Sequence, residues 1–417
     1  MAFNPLRATA APVPAPVVDP PGGYLNSLNL FRVVACAAVV GQHAFLWIGA
    51  SGIAASAFVT LLHFSRTAFF FVSGLVLCYT ELRRPLSPGR FWQRRYTQMG
   101  VPYVAWTLIY LVFTLLTVGG SWHHTYPLFR HSFTHGYYQL YALIVLFQAY
   151  LLFPPLLWLL RRSRRHLLIG AVSVVFALFI NSALHFTHSM GFISDFTNWL
   201  GTQWPWSRNL LAYQEFFVLG ALAAFHLREV HAFVSRWHRQ VMAFTGAVAA
   251  GMLAWYLVSV WNGTTTGAAS DIYQPLAVVW CLVAIAGLYC WSWAWEARHP
   301  TPESAGKRRG LTSVAHLAEL TAGIYFCHVL FINRIRLVLE NTGLRTHLPF
   351  AATVGLLFVL TLAVSAAFIT LVLRSPLRWV VGGPVRAEQR ARWMARADQV
   401  AATDEPVLAK GARAPTL

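Results

Sequence analysis

The first apolar stretch of this 417-residue chain, FRVVACAAVVGQHAF at positions 31–45, holds two residues of the wrong type for hydrocarbon, Arg32 and His43. Eleven positions make three helical turns plus about twenty degrees, so on a helix the two share one stripe with Cys36, Val39 and Val40, about 16 Å apart along the axis. Ionisable groups are expensive inside a membrane, and what they do there is bind a polar group or handle a proton. The plain alternatives are an arginine that snorkels to the interface and a histidine satisfied by a neighbouring carbonyl.

A second such histidine lies in LTAGIYFCHVLF at 320–331. Thr321, Tyr325 and His328 fall at i, i+4 and i+7, which puts a hydroxyl, a phenol and an imidazole on one helical face. Glu215 in YQEFFVLG and Glu319 before the Tyr-His face are weaker candidates: each either orients an imidazole or sits near an interface. Ser73-Gly74 in RTAFFFVSGL is a small pair that suits close helix packing, or a hydroxyl offered to a substrate. His123, His124, His131, His135, His185 and His188 have no carboxylate or thiolate at ligand spacing, so no metal site is expected. Phosphate-loop, nucleophile-elbow and H-E-x-x-H motifs do not occur.

The elements that must position these residues are membrane helices. The chain is 57% hydrophobic and 11% charged, and its apolar residues come in blocks of about twenty. Ten spans are expected, at 27–47, 56–80, 99–119, 137–160, 167–186, 208–227, 241–261, 273–295, 312–333 and 350–373. The segments between them alternate in character. Residues 81–98, 161–166, 228–240 and 296–311 and the start of the tail are rich in arginine, whereas 48–55, 120–136, 187–207 and 262–272 hold only Arg130. The positive-inside bias places the basic set and both termini in the cytoplasm, which accounts for the net charge of +18 without nucleic acid. One segment, 334–349, departs from the alternation, since it falls outside yet carries Arg334, Arg336 and Arg345.

The expected class is therefore an all-α polytopic integral membrane protein. Its organisation reads as a Pro/Ala-rich, disordered cytoplasmic leader (1–23), one transmembrane domain (24–375) and a basic cytoplasmic tail (376–417), in which RAEQRARWMARA suits either an amphipathic helix on anionic lipid or a solvated tail. The five cysteines all lie in apolar blocks and read as free thiols. On this topology Arg32 falls near the cytoplasmic headgroups. His43 and His328 both come late in helices of the same direction, in the outer half of the membrane.

With these residues in order, the chain resembles the membrane-bound acyltransferase 3 family, which includes bacterial O-acetyltransferases of lipopolysaccharide, capsule and other glycans. The family's mark is a basic residue, ten residues and a histidine in the first span, here Arg32 to His43. Further matches are FFFVSGLVL at 69–77, FWQRRYTQMGVPY at 91–103, YYQLYALIVLFQAYLLFPPLL at 137–157, FFVLGAL at 216–222 and GIYFCHVLF at 323–331. Gln98 stands where many relatives have another arginine. The resemblance implies transfer of an acyl group, acetyl above all, from cytoplasmic acyl-CoA to a hydroxyl of a carbohydrate, lipid-linked sugar or metabolite at the cell inner membrane. Acyl-CoA is then a co-substrate, and no permanently bound cofactor is expected.

An alcohol needs a general base at neutral pH, and a histidine suits that role. The resemblance assigns it to His43. His328 with Tyr325 is left as relay, donor to the thioester oxygen or acceptor site, and Ser73 and Glu215 as further substrate contacts. Arg94 and Arg95, with Arg90 nearby, are the expected dock for CoA phosphates, because forked guanidinium groups pair well with phosphate. Arg32 would steady the pantetheine arm. The rival class is a transporter or flippase whose buried groups bind a polar solute.

Overall fold

The computed structural model describes residues 27–49, 52–82, 87–118, 122–186, 205–298 and 314–382. The leader, most of the tail with its basic RAEQRARWMARA stretch, His188 and the side chains of His123 and His124 lie outside the described set. Among the described residues the secondary structure is entirely helical. The principal helices are α1 (Ser27–Trp47), α2 (Ile53–Leu62), α3 (Phe64–Leu82), α4 (Pro88–Val118), α5 (Trp122–His135), α6 (Tyr141–Arg162), α7 (His166–His185), α8 (Gln214–Phe225), α9 (Leu227–Trp261), α10 (Pro275–Arg298), α11 (Val314–Asn341) and α12 (Phe350–Arg374).

Nine helical stretches among the described residues are long and apolar enough to cross a bilayer, with α2–α3 and α5–α6 each counting as one. Leu116, Leu167 and Trp261 are 81%, 91% and 90% exposed, which only a lipid-facing surface makes favourable. The chain is thus an all-α, multi-pass membrane protein.

The sixth expected stretch, 208–227, takes a different form. Two 3-10 turns (Trp206–Arg208 and Leu210–Ala212) precede α8, a helix of 12 residues. At 1.5 Å per residue it is about 18 Å long, well short of a hydrocarbon core of about 30 Å. The irregular backbone is satisfied by protein. Gln148 donates to the Arg208 carbonyl (2.6 Å) and accepts from the Leu210 amide (3.0 Å), and the Asn209 side chain accepts from the Leu211 amide (3.0 Å). Non-helical backbone survives at membrane depth only with such partners.

Two expected loops are helix instead. α9 runs through 228–240, and α11 continues to Asn341. The arginines that break the charge alternation consequently have local partners. Arg336 pairs with Glu340 at 2.8 Å, Arg345 pairs with the same carboxylate and donates to the Ile48 carbonyl at 3.0 Å, and Arg334 lies 4.3 Å from the centre of the Phe113 ring. Their charge is used to tie the end of α11 to the end of α1.

The packing order follows from small residues and from direction. α1 rests on α11, α10, α3 and α12. α3 and α8 cross at two glycines: a β-carbon on Gly74 would strike the Phe217 carbonyl oxygen, and one on Gly220 would strike that of Phe71. Their backbones approach as closely as small residues allow. α3 is antiparallel to α1, since Phe31 faces Phe71 with ring centres 6.2 Å apart while Gln42 faces Ser65 at 3.4 Å. Glu81 therefore lies at the Arg32 end of the bundle, and His43 lies toward the opposite end.

Candidate functional site

Arg32 and His43 sit half-buried on α1, and both meet α11. Arg32 Nη2 donates to Thr321 Oγ1 at 3.4 Å, Cys36 Sγ to the Thr321 carbonyl at 3.6 Å, and His43 Nδ1 lies 2.7 Å from His328 Nε2. Contacts that advance together along both chains make α1 and α11 parallel. His43 and His328 thus face each other directly, with ring planes 5° apart.

The hydrogen bonds assign the protons. His328 is fully buried, and its Nδ1 lies 3.0 Å from the Ile324 carbonyl one turn back, an atom that can only accept. His328 therefore carries its proton on Nδ1, and its Nε2 holds a lone pair. His43 Nδ1 must then be the donor in the 2.7 Å bond. His43 Nε2 is left with a lone pair, and no described residue bonds it. A backbone carbonyl thus fixes one tautomer, which fixes the next.

Tyr138 covers one side of His43, with ring centres 5.2 Å apart, and Trp47 meets the Tyr138 ring edge-on at 5.7 Å. Tyr325 stacks on Phe69 at 5.6 Å and donates its hydroxyl to the Gln139 carbonyl, while its ring centre lies 6.0 Å from that of His328. Tyr325 therefore braces the site, with its hydroxyl engaged by backbone. Next to His43 on the chain, Gln42 Nε2 donates to His63 Nδ1 (3.4 Å), whose Nε2 donates to the Ser270 carbonyl (2.8 Å). Both His63 nitrogens are occupied, so this second buried imidazole serves as a brace.

Arg66 lies within electrostatic reach of His43. It donates to the Tyr141 hydroxyl at 2.5 Å, and its guanidinium carbon is 4.7 Å from the centre of the Tyr213 ring. Among the described residues no carboxylate pairs with it, and its Nε is buried without a partner.

Other expected residues lie elsewhere. Arg94 pairs with Glu81, and Arg95 reaches the same carboxylate at 3.4 Å. Arg161 donates to the Glu81 backbone carbonyl at 2.9 Å, so three guanidinium groups gather around one residue at the Arg32 end, two of them on its carboxylate. Arg90 stands apart on the exposed first turn of α4, bonded to Ser87 at 3.3 Å. Ser73 turns its hydroxyl to the Phe69 carbonyl of its own helix (2.7 Å), and its neighbour Gly74 makes the close α3–α8 crossing. Glu215 is fully buried in the first turn of α8 with both oxygens unpartnered, on a different helix from the histidine pair. Glu319 is on the exposed side of α11, away from the imidazoles. His185 bonds Asp271 at 2.9 Å, and His131 stacks on His135.

Sequence reasoning passes over Tyr138, Trp47, Arg66 and Glu81. Arg66 carries the same signal as Arg32, an arginine within an expected apolar span, here 56–80. Glu81 is the acidic partner that a cluster of arginines needs when half-buried.

A family model described as an acyltransferase domain matches residues 25–370, nearly all of the membrane-embedded chain. Comparisons with curated proteins and with solved structures return no match. The matched segment contains both histidines, Arg32 and the arginine cluster, and the chain belongs to the acyltransferase 3 family.

Proposed function

We propose that this acyltransferase moves an acetyl group from cytoplasmic acetyl-CoA to a hydroxyl of a carbohydrate or related acceptor at the cell inner membrane, with His43 as general base. The observation that carries the reading is the proton assignment, which leaves the His43 Nε2 lone pair free beside the exposed Tyr138. In this scheme His43 Nε2 takes the hydroxyl proton as the oxygen attacks the thioester carbonyl. The C–O bond forms, the C–S bond breaks, and the proton passes from His43 to the departing CoA sulfur. His328 receives the Nδ1–H bond, which strengthens while His43 carries positive charge.

The donor end is supported by charge. Arg94 and Arg95 share the single Glu81 carboxylate, so the cluster keeps an excess of guanidinium donors for phosphate. Arg32 lies about 16 Å from His43 along α1, a depth that the pantetheine arm would thread. Incubating membranes that contain the chain with radiolabelled acetyl-CoA tests the reading. Label should appear on a membrane or glycan acceptor and vanish in His43→Ala with insertion intact. Undiminished labelling in His43→Ala would refute the assignment, and solute flux without acetyl-CoA consumption would point to a transporter.

A further inference from the structure

Tyr138 has φ +40°, which makes it the only residue other than glycine in the left-handed region among those described. A bulky side chain is strained there, and such strain persists only where the surroundings enforce it. The enforcement is visible. Gly136 (φ +78°) packs where a β-carbon would lie 2.5 Å from the Tyr141 amide nitrogen, so the chain turns sharply into the 3-10 turn Tyr138–Leu140. Gln139 nails that turn to its neighbours: its side chain donates to the Tyr110 hydroxyl (2.7 Å) and the Phe326 carbonyl (3.0 Å), and its carbonyl accepts from Tyr325. With Gln139 held inward, the Tyr138 ring is thrown out over His43.

That ring is 43% exposed although it is held in place. It does not fill the core, and a simple hydrophobic contact with His43 would not need a strained backbone. Behind it stands Trp47, and Arg336 lies 5.7 Å from the centre of the Trp47 ring. Arg336, Glu340 and Arg345 form an ion-pair group beside Trp47, which places the Tyr138 ring near the polar zone of the membrane protein rather than at hydrocarbon depth. Tyr138 and Trp47 are also at the opposite end of α1 from the Arg94–Arg95–Glu81 cluster. Arg66, a cation within electrostatic reach of His43 with no carboxylate partner among the described residues, disfavours a quaternary ammonium ligand. A sugar ring fits: its C–H face carries partial positive charge suited to an aromatic face, and its hydroxyls suit water and ion pairs at the edge.

We infer that Tyr138, backed by Trp47, is the platform on which the acceptor's sugar ring stacks so that one hydroxyl meets His43 Nε2. The inference rests on the acyl-transfer reading. The test uses the full chain in lipid nanodiscs with acetyl-CoA, following CoA release with a panel of methyl hexopyranosides and, for comparison, hexanol as a ringless alcohol. The unaltered chain should favour hexopyranoside over hexanol, and Tyr138→Phe should keep that preference. Tyr138→Leu should raise the half-saturating hexopyranoside concentration about tenfold with little change in that for acetyl-CoA, the loss of one stacking contact. A Tyr138→Leu value within twofold of the unaltered chain, or an equal rise for acetyl-CoA, would overturn the platform. So would a chain that acetylates its native membranes yet takes none of the hexopyranosides. Failure to transfer label from acetyl-CoA to any acceptor would instead bring down the acyl-transfer reading itself.

Discussion

Replacing His328 with alanine takes away the lone pair that accepts the His43 Nδ1–H bond of 2.7 Å. A hydrogen bond between neutral groups contributes about 0.5–1.5 kcal/mol net and one to a charged group about 1.5–3 kcal/mol, so the bond is worth about 1–1.5 kcal/mol more when His43 carries the proton. That difference appears only in the transition state, and it corresponds to a loss of roughly five- to twelvefold in kcat. Without its acceptor the other His43 tautomer also becomes populated, which adds a small further factor. His43→Ala should cost about 10²–10⁴, the ordinary range for a general base. The double variant should be no slower than His43→Ala alone to within about threefold, because His328 acts through His43. Initial rates of CoA release in nanodiscs at saturating acetyl-CoA and fixed acceptor give all four corners of this cycle. A double variant slower than His43→Ala by the full His328→Ala factor would refute the reasoning, since His328 would then touch the substrate independently.

Three further outcomes follow from the packing and the charge. Gly74→Ala or Gly220→Ala should abolish the monodisperse species in detergent, because each β-carbon meets backbone with no side chain free to move; normal size-exclusion profiles for both would contradict the close crossing. Gln148→Leu leaves the Arg208 carbonyl and the Leu210 amide without their partner, at about 1–3 kcal/mol for each buried group, and should lower the thermal midpoint of the purified protein. Arg94→Ala with Arg95→Ala should raise the half-saturating acetyl-CoA concentration while leaving that of a CoA-free thioester such as N-acetylcysteamine acetate unchanged; equal changes for both would remove the phosphate dock.

The histidine pair is partly legible in the sequence. Eleven-residue spacing puts Arg32 and His43 on one stripe, and the alternation of charge puts His43 and His328 in helices of one direction at one depth. The bond between them is not legible, because rotation about each helix axis is set by tertiary packing. Tyr138 leaves no sequence signal: nothing in YYQLY announces a positive φ, which here arises from Gly136 behind it and Gln139 beneath it. The stretch 208–227 reads as a span because hydropathy averages over residues, whereas Gln148 is 62 positions from the backbone amide that it satisfies. Arg334, Arg336 and Arg345 break the topology rule for a related reason, since their partners are Phe113, Glu340 and the end of α1.

The two imidazoles that meet at 2.7 Å are separated by 285 residues of chain. During synthesis His43 enters the bilayer with the first helix, long before the ribosome has made α11. Until then its Nδ1 has no His328 lone pair to bond and its tautomer is unassigned. The His43–His328 bond is therefore a late event in biogenesis, made when α11 docks parallel to α1. Chains released before α11 is made would carry His43 into the membrane without the partner that fixes its tautomer, and the pair would be completed only in full-length copies.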